Sequence, residues 1–139
     1  MKTESLKLLI IATTKFELDG ITNVILNYYR AMDKTDMQID FVIPNDIKSN
    51  LRHELEACGS IINKVEGRNK KPFTYIKELS ELINQNKYDI VHAHGNSCTL
   101  ALEMYSAKKA DIKIRIAHGH SSNCKHRLIH RLLRFFFDR

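Results

Sequence analysis

The sequence predicts an α/β fold built on an open, doubly wound and mainly parallel sheet. Three observations carry that expectation. Short apolar runs alternate with stretches of helical periodicity along the whole chain. The helical stretches run about 10–15 residues, enough to carry a strand back to the start of a parallel neighbour. Two of the apolar runs also rhyme. Tyr88-Asp89-Ile90-Val91-His92-Ala93-His94-Gly95 and Ile114-Arg115-Ile116-Ala117-His118-Gly119-His120-Ser121 each end in His-x-His followed by small or polar residues. A strand buried on both faces reads as such a run, and right-handed crossovers then place helices on both faces.

The elements follow in order. Residues 6–13 are a buried strand, Leu-Lys-Leu-Leu-Ile-Ile-Ala-Thr. Gly20 opens a helix with Ile21, Val24, Ile25, Tyr28 and Met32 at helical spacing. A second strand spans 38–43 and ends at Pro44-Asn45. A short helix over 49–58 is closed by Gly59, where a helix-terminating glycine belongs. A weak strand at 60–63 and a basic polar loop at 67–71 precede a helix over 73–86. Its apolar face carries Phe73, Ile76, Leu79, Leu82 and Ile83. Then come a strand at 89–93, a helix at 99–109, a strand at 112–117 and a basic, apolar helix at 124–137.

The chain has 139 residues, the length of one domain, and can bury a core without disulfides or metal. With 43% hydrophobic and 27% charged residues it is an ordinary globular composition, which excludes a disordered chain. The formal net charge of +6 comes from 22 basic and 16 acidic residues, of which five and one fall in 125–139. The remaining body is nearly neutral, so a nucleic-acid partner is not expected. Three cysteines, Cys58, Cys98 and Cys124, show no CxxC spacing, which fits a reducing, cytoplasmic compartment. The apolar run at 6–12 is too short to span a bilayer and carries no cleavage site of a signal peptide. Phe135-Phe136-Phe137 near the last residue suggests a chain after which more protein follows.

Ligands of parallel sheets sit beyond the carboxyl ends of the strands. Three groups of residues are therefore candidates. One is the turn after the first strand, where Gly20 leaves room for close backbone approach and the helix start offers N–H groups to phosphate. Neither GxGxxG nor GxxxxGK[ST] is present, and a plain turn with an Asp or Thr helix cap accounts for the same residues. The second is the histidine set. Residues i and i+2 of a strand share a face, so His92 with His94, and His118 with His120, each present two imidazoles to one side. They suit recognition of a hydroxylated or phosphorylated ligand; His92 alone reads as a satisfied sheet-end histidine. Carboxylates are sparse nearby and no cysteine lies at ligand spacing, so no metal is expected. The third is the tail, where Arg127, Arg131 and Arg134 stand opposite Leu128, Leu132 and Phe136. It suits either an anionic membrane surface or a core-covering helix with a basic outer face.

One set of motifs in order carries a family resemblance. A strand is followed by Asp-Gly-Ile-x-x-Val-Ile-Leu-Asn-Tyr-Tyr-Arg, then Tyr-Asp-Ile-Val-His-Ala-His, then Ile-Arg-Ile-Ala-His-Gly-His-Ser-Ser. From residue 7 to about 133 the chain resembles the N-terminal domain of bacterial family 4 glycosyltransferases, in particular those that build capsular polysaccharide and exopolysaccharide. The resemblance implies a Rossmann-like domain over 1–139 that forms the acceptor-side half of a GT-B architecture. It implies sugar transfer from a nucleotide-sugar donor to a lipid-linked or saccharide acceptor, without a metal or other cofactor. It places Gly20 against the donor diphosphate and His118 near the transferred sugar as the catalytic residue. It places His94, Gly95 and Asn96 on the acceptor side of the cleft, with His120 and Ser121 in a loop beside it.

The sequence departs from the family at Asp19-Gly20, where the family has Gly-Gly, and it contains no C-terminal donor domain with its glutamate pair. The 139 residues alone are therefore expected to show little or no transfer. A cytoplasmic protein, held at the inner face of the plasma membrane by its basic tail, fits that role. Competing expectations are a glycan- or phosphate-binding module without chemistry, a small metal enzyme built on the four histidines, and a truncated reading frame.

Overall fold

The computed structural model describes residues 4–121. Five strands form one sheet: β1 (Leu6–Ala12), β2 (Met37–Val42), β3 (Ile62–Asn63), β4 (Ile90–Gly95) and β5 (Ile114–Gly119). Their order is β3-β2-β1-β4-β5, and every pairing is parallel. Helices α1 (Gly20–Ala31), α2 (Ser49–Ala57), α3 (Pro72–Asn86) and α4 (Ala101–Lys109) connect them, with a 3-10 turn at Ser97–Leu100 leading into α4. The predicted doubly wound, Rossmann-like α/β fold is what forms. The chain runs outward from β1 to β3 and then returns to β4 on the other side, so the switch point lies between β1 and β4.

Side-chain alternation along β1 divides the core between the two faces of the sheet. Leu9 and Ile11, with Val91 and Ala93 of β4, pack against Tyr75, Leu79 and Ile83 of α3 and Ala107 of α4. Leu8, Ile10 and Ala12 face the other way, onto Ile25, Leu26 and Tyr29 of α1 and Leu51 and Leu55 of α2. Burial on both faces is why β1 is nearly all apolar. At the edge strand β5, Ile114 and Ile116 remain exposed.

Two helices turn a different face inward from the one their periodicity suggested. In α1 the buried row is Thr22, Ile25, Leu26 and Tyr29, while Tyr28 is 54% exposed. The choice between adjacent tyrosines is made by tertiary partners. Tyr29 meets Ser60 through a 2.8 Å hydroxyl–hydroxyl hydrogen bond and packs its ring edge-on against Phe41 at 5.2 Å. In α3, Pro72 takes the first helical position, where its missing N–H costs nothing. Phe73 is 86% exposed, and Tyr75 occupies the core instead. Gly59 closes α2 with φ +83°, a left-handed conformation that explains the glycine there.

The ends of β4 and β5 also shift. Both ladders run two residues further than predicted, through the pairs His94↔His118 and Gly95↔Gly119. Backbone bonds fasten these ends: Thr13 N–H donates to His94 O at 3.1 Å, and His120 N–H to Gly95 O at 2.9 Å. His92, His94 and His118 therefore stand on strand, while His120 lies in the bend just past β5, in the polar loop expected for it. The helix expected over 124–137 lies outside the described residues. Among the described residues, no helix is long and apolar enough to cross a membrane.

Candidate functional site

The register of β4 against β5 brings all four histidines to one patch at the carboxyl edge of the sheet. His94 and His118 are direct partners across the ladder, and His92 and His120 flank them on the same face. Ring centroids are 4.1 Å apart for His92–His94, 4.8 Å for His94–His118, 5.6 Å for His92–His118 and 4.5 Å for His118–His120. The rings of His118 and His120 are parallel within 3°. From α1, Tyr28 approaches His118 edge-on at 6.2 Å. The exposure of Tyr28 thus has a counterpart on the sheet edge.

Burial grades the four. His94 is 1% exposed, whereas His92, His118 and His120 are half-buried. Nδ1 of His94 lies 3.1 Å from Nε2 of His120, so one ring donates and the other accepts. His92 is not the satisfied histidine that the sequence suggested. Its Nε2 is buried and has no hydrogen-bond partner among the described residues.

The electrostatics follow from crowding in a dry place. Burial is the largest influence on His94 and pulls its pKa to about 3, with neighbouring imidazoles adding to it. Burial likewise lowers His92 to about 4, helped by His118 and His120. His120 is lowered by burial and by His118, and partly restored by the carboxylate of Asp19. The interior of the patch, at His92 and His94, is therefore uncharged at neutral pH.

Helix α1, which Gly20 opens, reaches the same patch through Tyr28. Here the plain reading of the turn is the observed one. Asp19 is the N-cap of α1 and accepts a 2.8 Å hydrogen bond from Thr22 N–H. A carboxylate thus already occupies one of the amides that a phosphate would use. Gly20 is the first helical residue, and a Cβ there would meet nothing within 4 Å. Gly95 differs: a Cβ at 95 would overlap Thr13 Oγ1 and press on Leu100. Its role is to let β1 and β4 approach at their ends. Asn96 and Ser121 are exposed, one after each strand. The structure thus brings His94, Gly95, His118 and His120 into one patch, while Gly20 opens α1.

Sequence reasoning missed a second polar assembly. Arg68, from the basic loop, reaches the fully buried Glu103 of α4 with an Nε–Oε1 separation of 2.6 Å and also donates to Thr99 O. Tyr75 Oη donates to the same carboxylate at 2.9 Å. Burial and the carboxylate together push the Tyr75 hydroxyl far above its ordinary range. Arg68 also borders a cleft of about 1000 Å³ that opens beside the end of β1, lined among others by Thr13, Asn45, Lys70, Lys71 and Thr74. The only hint in the sequence is a lone acidic residue, Glu103, in the helix over 99–109, which by itself names no partner.

The chain is similar to known proteins in three comparisons. Residues 18–139 match the sequence profile of Glycosyltransferase Family 4. A Bacillus subtilis (strain 168) protein designated glycosyltransferase EpsF is 26% identical over 108 residues, which are 76% of this chain. The match spans 28% of that relative's length. A solved structure, the U34-tRNA thiolase NcsA from Methanococcus maripaludis with its [4Fe-4S] cluster, aligns over 98% of this chain and 58% of its own, at 12% identity and a TM-score of 0.45. With the family's profile covering most of its length, the chain belongs to glycosyltransferase family 4.

Proposed function

We propose that this chain is the acceptor-side half of a two-domain GT-B glycosyltransferase. The whole enzyme moves a sugar from a nucleotide-sugar donor to a lipid-linked or saccharide acceptor in capsular polysaccharide or exopolysaccharide synthesis. The observation that carries this reading is the histidine edge. Four imidazoles, three on strands and one just past β5, stand at the carboxyl end of a parallel sheet, where such folds meet their ligands. Membership in the family and the likeness to EpsF support the reaction class.

In this reading His118 is the catalytic residue beside the transferred sugar. Its ring is half-buried, with His120 stacked on it and Tyr28 edge-on to it. His94, buried behind it, is a positioning residue: through its contact with His120 it holds the outer ring in place. Gly95 and Asn96 shape the acceptor side, and Ser121 continues that edge. Gly20 meets the donor diphosphate only weakly, because Asp19 keeps its charge on the helix start. Chemistry then rests on orientation and on hydrogen bonds to developing charge, and transfer uses no metal. The protein works in the cytoplasm, at a membrane surface contacted by the basic segment 125–139.

The test is a transfer assay with radiolabelled UDP-sugars and a polyprenyl-diphosphate-linked sugar. The 139 residues alone are expected to bind the acceptor and to give no transfer. Robust turnover by this chain alone would overturn the two-domain reading.

A further inference from the structure

We propose that His92, His94 and His118 form a three-imidazole site for a single divalent transition-metal ion, with Zn²⁺ or Cu²⁺ as the fitting species. Among the described residues this is the one group of three or more His, Cys, Asp or Glu side chains close enough to share an ion. One ligand atom from each lies within 4.8 Å of the others.

Two further observations point the same way. Nε2 of His92 is buried without a hydrogen-bond partner, and a buried imidazole nitrogen rarely stays unsatisfied without reason. A bound cation would accept its lone pair. His94 is prepared differently. Its Nδ1 is engaged with His120 at 3.1 Å, which fixes the ring and leaves Nε2 as the ligand atom. An outer hydrogen bond of that kind is what metal-bound histidines normally have, so His120 acts as a positioning residue.

The donor set selects the ion. Three neutral nitrogens with no carboxylate among them suit Zn²⁺ and Cu²⁺ and disfavour Mg²⁺ and Ca²⁺, which need oxygen. Zn–N bonds of about 2.0–2.1 Å place tetrahedral ligand atoms about 3.4 Å apart. The three nitrogens must therefore close in by rotation of His92 and His118, both of which are only half-buried. With three ligands from the protein, one coordination position is left for water or a ligand. The site shares His94 and His118 with the transferase reading, but its test does not rest on that reading, since the metal alone is the probe. If both hold, the ion occupies His118 and competes with the sugar.

The test is calorimetric titration of the 139-residue chain with Zn²⁺ at pH 7, paired with the absorption spectrum of the Co²⁺ form. One ion per chain is expected, with a Co²⁺ spectrum of low coordination number. His92→Ala and His118→Ala should each weaken binding at least tenfold while circular dichroism shows an unchanged fold. His53→Ala, exposed on α2, should change nothing. Because Cys124, His126 and His130 offer other donors, a Cys124→Ser, His126→Ala, His130→Ala chain should bind as the parent does. Absence of stoichiometric binding overturns the proposal. So does binding that survives His92→Ala and His118→Ala, or binding lost only in the tail variant.

Discussion

Nδ1 of the buried His94 lies 3.1 Å from Nε2 of His120, so the two imidazoles share one proton between the interior of the sheet edge and its surface. Burial keeps the inner ring, His94, neutral. It links the site to stability, and the link can be measured.

His94 has its pKa held near 3 by burial, and His92 near 4. Unfolded histidines titrate near about 6.5, so between that pH and the native values the unfolded chain binds more protons than the native one. Stability from this source is full above about pH 6.5 and falls as pH drops toward 4. In urea unfolding, the loss between pH 7 and pH 4.5 should shrink by about 1 kcal/mol or more in His94→Gln. An unchanged pH slope in that variant would mean that His94 is not held neutral by the fold.

The two glycines of the site should respond oppositely to alanine. Gly95→Ala forces a methyl group onto Thr13 Oγ1, at a point where Thr13 is tied by its N–H and hydroxyl to His94 O. Overpacking of this kind costs about 1–3 kcal/mol. Gly20→Ala meets open space at a helix start and should be neutral or slightly stabilising. Denaturation midpoints of the two variants decide the matter, and equal effects would contradict the local geometry.

Asp19 serves the helix and burdens an anion. Asp19→Asn keeps an N-cap side chain and removes the charge, so stability should hold within about 0.5 kcal/mol. Asp19→Ala should cost about 1 kcal/mol through the lost bond to Thr22 N–H. Pyrophosphate should bind Asp19→Asn more tightly than the parent chain, by calorimetry at low salt. Equal affinity would place the anion away from this helix start.

Arg68 and Glu103 make a buried pair, and breaking one partner strands the other. Arg68→Ala should destabilise by about 3–5 kcal/mol, because Glu103 is fully buried and would keep, among the described residues, only the neutral hydroxyl of Tyr75 as a side-chain partner. Adding Glu103→Leu to Arg68→Ala should recover part of the loss. A double-mutant cycle measures the coupling, and additive losses would show that the two act independently.

The central strands were legible because burial on both faces leaves a continuous apolar run, and the period of two put each pair of histidines on one face, which the β4–β5 register then joined. Helix faces were less legible. Tyr28 and Tyr29 both fit an apolar stripe within one residue, and only Ser60 and Phe41, far along the chain, choose Tyr29. Phe73 fits the period of α3 yet lies before the helix reaches the core. The Arg68–Glu103 pair spans 35 residues, a separation at which no periodicity speaks. Which imidazole nitrogen stays unsatisfied depends on ring rotation and burial, so His92 could not be told from a satisfied histidine in advance.

The central claim is that the histidine edge is the substrate face of a sugar-transferring domain. It is tested most directly by long-range ¹H–¹⁵N spectra of the imidazoles during titration with a polyprenyl-diphosphate-linked sugar. The account predicts shifts at His118, His120 and His94 with none at His53, and at least tenfold weaker binding in His118→Ala. Saturable binding that leaves all four ring resonances in place would contradict it.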